Sequence, residues 1–362
     1  MQHKNIKSGS LVVLILITLL ALSACSDGNT TADSPAQGSG QVVSEVANGI
    51  GAMNSQPAAQ APSQVASPVP AAAKVVATTT AAPVAKPSNQ TKYSYPTSPD
   101  IKPFNWGGTG IVHDRYFNSP ILGRQMSYRI YLPPQYFTNP GQRFPVLYML
   151  HGLSGSYQEW VDYGLLPNAD DMIVANQIEP FIIVLPLGEQ SYWINHSDGG
   201  PRWGDYMTTD VVDSVDSNYR TIANAQNRAI GGHSMGGFGA LSLTFNNPDI
   251  FGIVAGHSAV MRTKADAFYF FGDAAYYATI DPITLAKSKD LSSLKIWLDV
   301  GKDDEDSLSR TQELQSILQQ RGISATFTVW PGTHGGEYWI AHCKDYINFY
   351  ASAFPTALSK GA

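Results

Sequence analysis

The sequence predicts an α/β fold, a mainly parallel central sheet covered by helices on both faces, built as one domain over residues 105–362. Three observations lead there. Short apolar runs recur through this part of the chain, helix-patterned stretches separate them, and the only long apolar run lies at the extreme N-terminus. The last point also excludes a multi-span membrane protein.

Taken in order, Arg124–Leu132 (RQMSYRIYL) alternates like a half-buried strand and stops at Pro133-Pro134. Phe144–His151 and Pro180–Leu187 are continuous apolar runs, as expected of strands buried on both faces. Arg228–His233, Gly252–Ser258, Lys295–Val300 and Ala325–Trp330 continue the series. Helical patterns occupy Ala169–Asn176, Asp205–Ser217, Gly236–Phe245, Ser309–Gln320 and Glu337–Ala353. Parallel strands need long crossovers, and helices between successive strands supply them.

The first 104 residues have a different texture. Lys4 and Lys7 precede the apolar run Leu11–Ala24, which reads as an export signal over residues 1–24 and is short of the roughly 20 residues that span a bilayer. Leu22-Ser23-Ala24-Cys25 resembles the lipobox of bacterial lipoproteins, which implies acylation of Cys25 and an extracytoplasmic, membrane-anchored protein. In a cell that has an outer membrane, Ser26 after that cysteine favours it, by the same resemblance. From Ser26 to Lys92 there is no Phe, Trp or Tyr, so residues 25–104 are expected to form a disordered Ala/Pro/Ser/Thr-rich tether. As a coil it would reach about 45 Å.

Composition narrows the function classes. Residues 104–362 carry 17 basic and 25 acidic side chains, a net of −8, and such an acidic body argues against nucleic acid as a partner. Two cysteines, Cys25 and Cys343, exclude a disulfide scaffold, and Cys343 reads as a small buried hydrophobe. No metal-ligand spacing appears, and the chemistry below requires neither metal nor cofactor.

Gly232-His233-Ser234-Met235-Gly236 is the only G-x-S-x-G in the chain. A strand (RAIGGH) runs straight into Ser234 and a helical stretch (GGFGALSLTF) follows at once. That context is the nucleophile elbow, a strained strand-to-helix turn that projects a serine Oγ above the sheet. Two backbone donors for an oxyanion are expected: the N–H of Met235 at the helix start, and that of Leu153 in the loop His151-Gly152-Leu153-Ser154-Gly155. His151 itself is expected to shape that loop. The partners of such a serine follow it as Asp/Glu and then His. Of His257, His334 and His342 downstream, His334 lies in the glycine-rich loop WPGTHGG with the freedom a base needs. His257 ends an apolar strand, and His342 falls on a helix face. The orienting carboxylate is expected in the loop Gly301–Asp306 after a strand, where spacing alone leaves Asp303 and Asp304 equal.

With these segments in place, residues from about 110 to 355 resemble the esterase family of α/β hydrolases. That family includes esterase D (S-formylglutathione hydrolase), bacterial feruloyl esterases, enterochelin-type esterases and the mycobacterial mycolyltransferases. The matching stretches are RIYLPPQY, YMLHGLSGS followed by Trp160, the approach Trp203–Thr221, GGHSMGGFGAL, LDVGKDDE and WPGTHGGEYW. The resemblance implies the α/β-hydrolase fold and a serine carboxylic-ester hydrolase without cofactor. Its pattern selects Asp304 as the acid beside Ser234 and His334. The implied substrate is a small ester or acylated sugar. The expected pocket lining is Trp160, Tyr192, Trp193 and Trp203, with Ala265–Tyr277 as a rim, a lid or a packed helix. Two other readings share these residues: an acyltransferase of the mycolyltransferase kind, and a non-catalytic glycan-binding surface module.

Overall fold

The structure, a computed structural model, describes residues 106–355. The expected signal segment 1–24, Cys25 and the tether 25–104 lie outside the described residues. Eight strands form one sheet: β1 (Ile111–Ser119), β2 (Arg124–Leu132), β3 (Val146–Leu150), β4 (Ile182–Pro186), β5 (Arg228–His233), β6 (Ile253–His257), β7 (Lys295–Gly301) and β8 (Ala325–Trp330). Their order across the sheet is β1-β2-β4-β3-β5-β6-β7-β8. Only β2 opposes its neighbours, and every pairing from β4/β3 to β7/β8 is parallel.

β1 is a strand the patterning does not foresee. His113, Asp114 and Arg115 interrupt its apolar residues. Cross-strand pairing accommodates them: Asp114 stands opposite Arg129 of β2, and Arg129 Nε donates to its carboxylate at 2.7 Å.

Period-2 geometry divides the strand side chains between two cores. Val146, Tyr148, Leu150, Ile182, Val184, Ile230, Val254 and Leu298 pack on one face. The helices Met235–Asn246 and Leu308–Gln320 cover that face with Phe238, Leu241, Leu314 and Leu318. Leu147, Met149, Ile183, Leu185, Ala255 and Trp297 turn to the other, under Leu165–Val174 and Gly336–Ala353. Both faces are therefore dry, which is why β3 and β4 read as unbroken apolar runs.

The helix expected over Asp205–Ser217 is present but not uniform. It runs as Trp203–Asp205, a π-helical stretch Tyr206–Val211, and Val212–Asn218. The π stretch carries Asp210, whose carboxylate accepts from Ser119 Oγ at 2.5 Å and from Ile121 N–H at 3.1 Å. The segment 265–277 is not one helix: a short 3₁₀ turn, Tyr269–Phe271, precedes the helix Ala274–Ala278.

Candidate active site

The C-terminal ends of β3, β5, β7 and β8 deliver the site's parts to one edge of the sheet. β5 ends at His233, and Ser234 turns the chain directly into the helix Met235–Asn246. Ser234 adopts φ 54°, ψ −120°, a conformation sparsely populated by L-residues. The flanking glycines make that turn possible. A Cβ on Gly232 would lie 2.6 Å from the Gly236 backbone carbon, and one on Gly236 would lie 2.3 Å from the Leu150 carbonyl oxygen. The turn is held by Ser234 N–H, which donates to the His257 carbonyl at 3.1 Å.

His334 Nε2 stands 2.9 Å from Ser234 Oγ, and its Nδ1 stands 2.8 Å from Asp304 Oδ2. Asp304 is buried, and its other oxygen accepts Ser307 N–H at 3.0 Å. Asp303, which spacing could not separate from it, is half exposed and pairs with Lys302. The loops bearing Asp304 and His334 are stitched together: Lys302 N–H donates to Trp330 O and Asp303 N–H to Gly332 O. A Cβ on Gly301 would sit 2.4 Å from that same Gly332 oxygen, so glycine is needed for the approach.

The two other downstream histidines lie elsewhere. His257 is sealed beneath the elbow, with Nδ1 2.5 Å from Asp299 Oδ2 and Nε2 2.9 Å from Tyr350 OH. Tyr338 and Tyr346 donate to the second Asp299 oxygen, so this buried carboxylate is fully engaged. His342 stacks on Trp330 along the last helix.

Met235 opens its helix, so its N–H belongs to the first turn, whose donors have no intrahelical acceptor. Leu153 lines the same cavity as Ser234 and His334. Between β3 and Leu153, His151 ties its own loop to the chain just past β4. Gly188 N–H donates to its Nε2 at 3.0 Å, which leaves the proton on Nδ1 to meet Gly152 O at 2.7 Å. Burial holds this imidazole below the usual histidine range, hence neutral.

The cavity over Ser234 has a volume of about 370 Å³. Of the four aromatic residues expected to line it, only Tyr192 does. The expectation is corrected for the other three. Trp160 is buried in the core of the opposite face, where its indole N–H bonds Leu150 O at 2.9 Å. Trp193 is buried against the helix Met235–Asn246, close enough that a Cβ on Gly239 would meet its Cβ at 2.5 Å. Trp203 packs edge-on against Tyr206 within the core. Aromatic composition signals a hydrophobic payload here, and burial takes it.

Two arginines without any sequence signal, Arg262 and Arg310, complete the wall, together with Asp266, Glu305 and Asp306. Arg262 Nε donates to Tyr192 OH at 2.8 Å and its guanidinium lies over Phe268. Phe268 in turn packs against Tyr192, so the segment 265–277 contributes a rim to the cavity. Cys343 is buried, and burial pushes its thiol up to about 12.

Comparison with known proteins bears on the family and the fold. The family model described as "Putative esterase" matches residues 119–346. Esterase Rv1288 of Mycobacterium tuberculosis is 31% identical over 173 residues, which are 47% of this chain and 36% of that protein. The chain thus matches about a third of that relative's length. An acetyl esterase of Caldicellulosiruptor saccharolyticus is 26% identical over 233 residues, 57% of this chain and 84% of that one. Among solved structures, a ferulic acid esterase superposes with a TM-score of 0.62 at 24% identity, covering 68% of this chain and all of that one, a likeness of fold.

Proposed function

Because the chain belongs to this esterase family of α/β hydrolases, we propose that it is a serine esterase acting through an acyl-enzyme at Ser234. The observation that carries the reading is the hydrogen-bonded series Ser234 Oγ, His334 and Asp304, at 2.9 and 2.8 Å. His334 Nε2 takes the hydroxyl proton as Oγ attacks the ester carbonyl. Asp304 keeps the Nδ1–H tautomer in place and stabilises the imidazolium. The Leu153 and Met235 N–H groups receive the oxyanion, His334 returns the proton to the departing alcohol, and water repeats the sequence to release the acid.

The substrate class proposed is a short or aromatic acyl group on a hydroxyl-rich alcohol. Arg262, Asp266, Glu305, Asp306 and Arg310 give the cavity a polar, charged wall suited to hydroxyls rather than to a long alkyl chain. The acetyl and ferulic acid esterases among the relatives favour the same class. Cys25 in its lipobox-like setting supports a lipid anchor that holds the enzyme at a membrane outside the cytoplasm.

The test is Ser234→Ala against wild type on p-nitrophenyl acetate, feruloyl esters and acetylated sugars. Turnover is expected to fall about 10⁴-fold or more, with loss of fluorophosphonate labelling. Full activity in the variant would sink the assignment. For the anchor, Cys25→Ser is expected to move the expressed protein from the detergent phase to the aqueous phase in Triton X-114 partition. Unchanged partition would exclude acylation at Cys25.

A further inference from the structure

The Leu153 N–H is useful to an oxyanion only if the Gly152–Leu153 peptide keeps its orientation. His151 Nδ1 and Gly155 N–H both hold the carbonyl of that peptide, Gly152 O, at 2.7 and 3.2 Å. The preceding amide is held by a residue with no part in the chemistry. Glu159 lies in the first turn of the helix Tyr157–Asp162, three residues after its N-cap Ser156. That spacing is the capping-box pattern, in which the glutamate would turn back to the cap's own N–H. Here the carboxylate goes further, and Oε2 accepts Gly152 N–H at 2.9 Å.

The same oxygen lies 2.9 Å from His233 Nε2. His233 is buried immediately before Ser234, and burial keeps its ring neutral. Its Nε2 therefore carries the proton that Glu159 receives, and Gly152 N–H, 3.2 Å from that nitrogen, is left to the carboxylate. The fit is close on every side. A Cβ on Gly155 would lie 2.0 Å from Glu159 Oε2, and one on Gly152 would lie 2.6 Å from the His233 ring. One oxygen thus joins the loop after β3, which leads to Leu153, to the end of β5, which leads through Ser234 to Met235.

We propose that Glu159 is a positioning residue of the oxyanion hole, setting the separation of the Leu153 and Met235 N–H groups by bonding Gly152 and His233 with one carboxylate oxygen. The inference rests on the serine-esterase reading above. Glu159 is not among the residues that line the cavity over Ser234, so its effect belongs in the transition state and not in ground-state binding.

The experiment compares full-length wild type with Glu159→Ala, Glu159→Asp and Glu159→Gln on p-nitrophenyl acetate, with folding checked by circular dichroism and melting. Alanine and the shorter aspartate are expected to lower kcat about 10- to 100-fold while KM stays within about twofold. Affinity for a trifluoromethyl ketone, which forms the tetrahedral adduct, should fall in parallel with kcat. Glutamine, whose amide oxygen can accept both bonds, should recover most of the loss. A folded alanine or aspartate variant with wild-type kcat, or a loss lodged in KM alone, overturns the proposal. If alanine fails to fold, aspartate decides. Failure of the underlying reading is separable, because it would show in wild type as activity that survives Ser234→Ala.

Discussion

At the scale of single residues, the site is a set of conformations that ordinary residues avoid. Ser234 holds φ 54° because the β5 turn and the helix behind it leave no alternative, and Gly232 and Gly236 are glycines because backbone occupies the space of their Cβ atoms. Ser234 and its glycines were legible in the chain, since the turn imposes a fixed spacing. The choice between Asp303 and Asp304 was not legible from spacing. It depends on which side chain the turn after β7 sends inward, and Asp304 is the buried one. Asp304→Asn should therefore cost about 10³–10⁴ in kcat, because the amide favours the wrong imidazole tautomer. Its melting temperature should shift little, since the Asn oxygen can still accept Ser307 N–H at its present 3.0 Å. An Asn variant with wild-type kcat on p-nitrophenyl acetate would show that Asp304 does not orient His334.

Between elements, the close contact of the helix Met235–Asn246 with the loop Glu189–Trp193 couples packing to the cavity. Glu189, Tyr192 and Trp193 all have positive φ, an unusual concentration for non-glycine residues. Trp193 rests against Gly239 of the helix, while its neighbour Tyr192 lines the cavity and bonds Arg262. Gly239→Ala is expected to destabilise the fold by about 1–3 kcal/mol through overpacking. The displaced Tyr192 should also raise KM more than it lowers kcat. A melt and a Michaelis curve check both, and an unchanged melting temperature would mean that the loop yields freely. The element boundaries were mostly visible in the chain because strands and helices have different apolar periods. β1 was hidden because its charged residues are satisfied by pairing with β2, which no local window contains.

Across the whole molecule, burial sets the response to acid. Three buried histidines, His113, His151 and His233, have their pKa depressed below the unfolded value by desolvation. For His113, burial comes first, Arg115 adds to it and Asp114 opposes, and the value falls from 6.5 to about 4. The unfolded chain then binds more protons than the folded one below pH 6.5, so stability is complete above that pH and drains as pH falls toward 4. The melting temperature should decline steadily from pH 7 to pH 5, and His113→Gln should flatten part of the slope. A melting temperature constant over that interval would contradict the neutral burial of these rings. Packing direction also decides what aromatic composition could not: all four rings are buried, but of them only Tyr192 reaches the wall of the cavity. The α/β class, the elbow at Ser234 and the loop of His334 can be read along the chain, because each follows from local periodicity or from a turn with a fixed residue pattern. Folding settles which carboxylate faces His334, which aromatic meets the cavity, and that Glu159 bridges two strand ends. Those are contacts between residues distant in the chain, where the direction of a side chain is set by what it packs against.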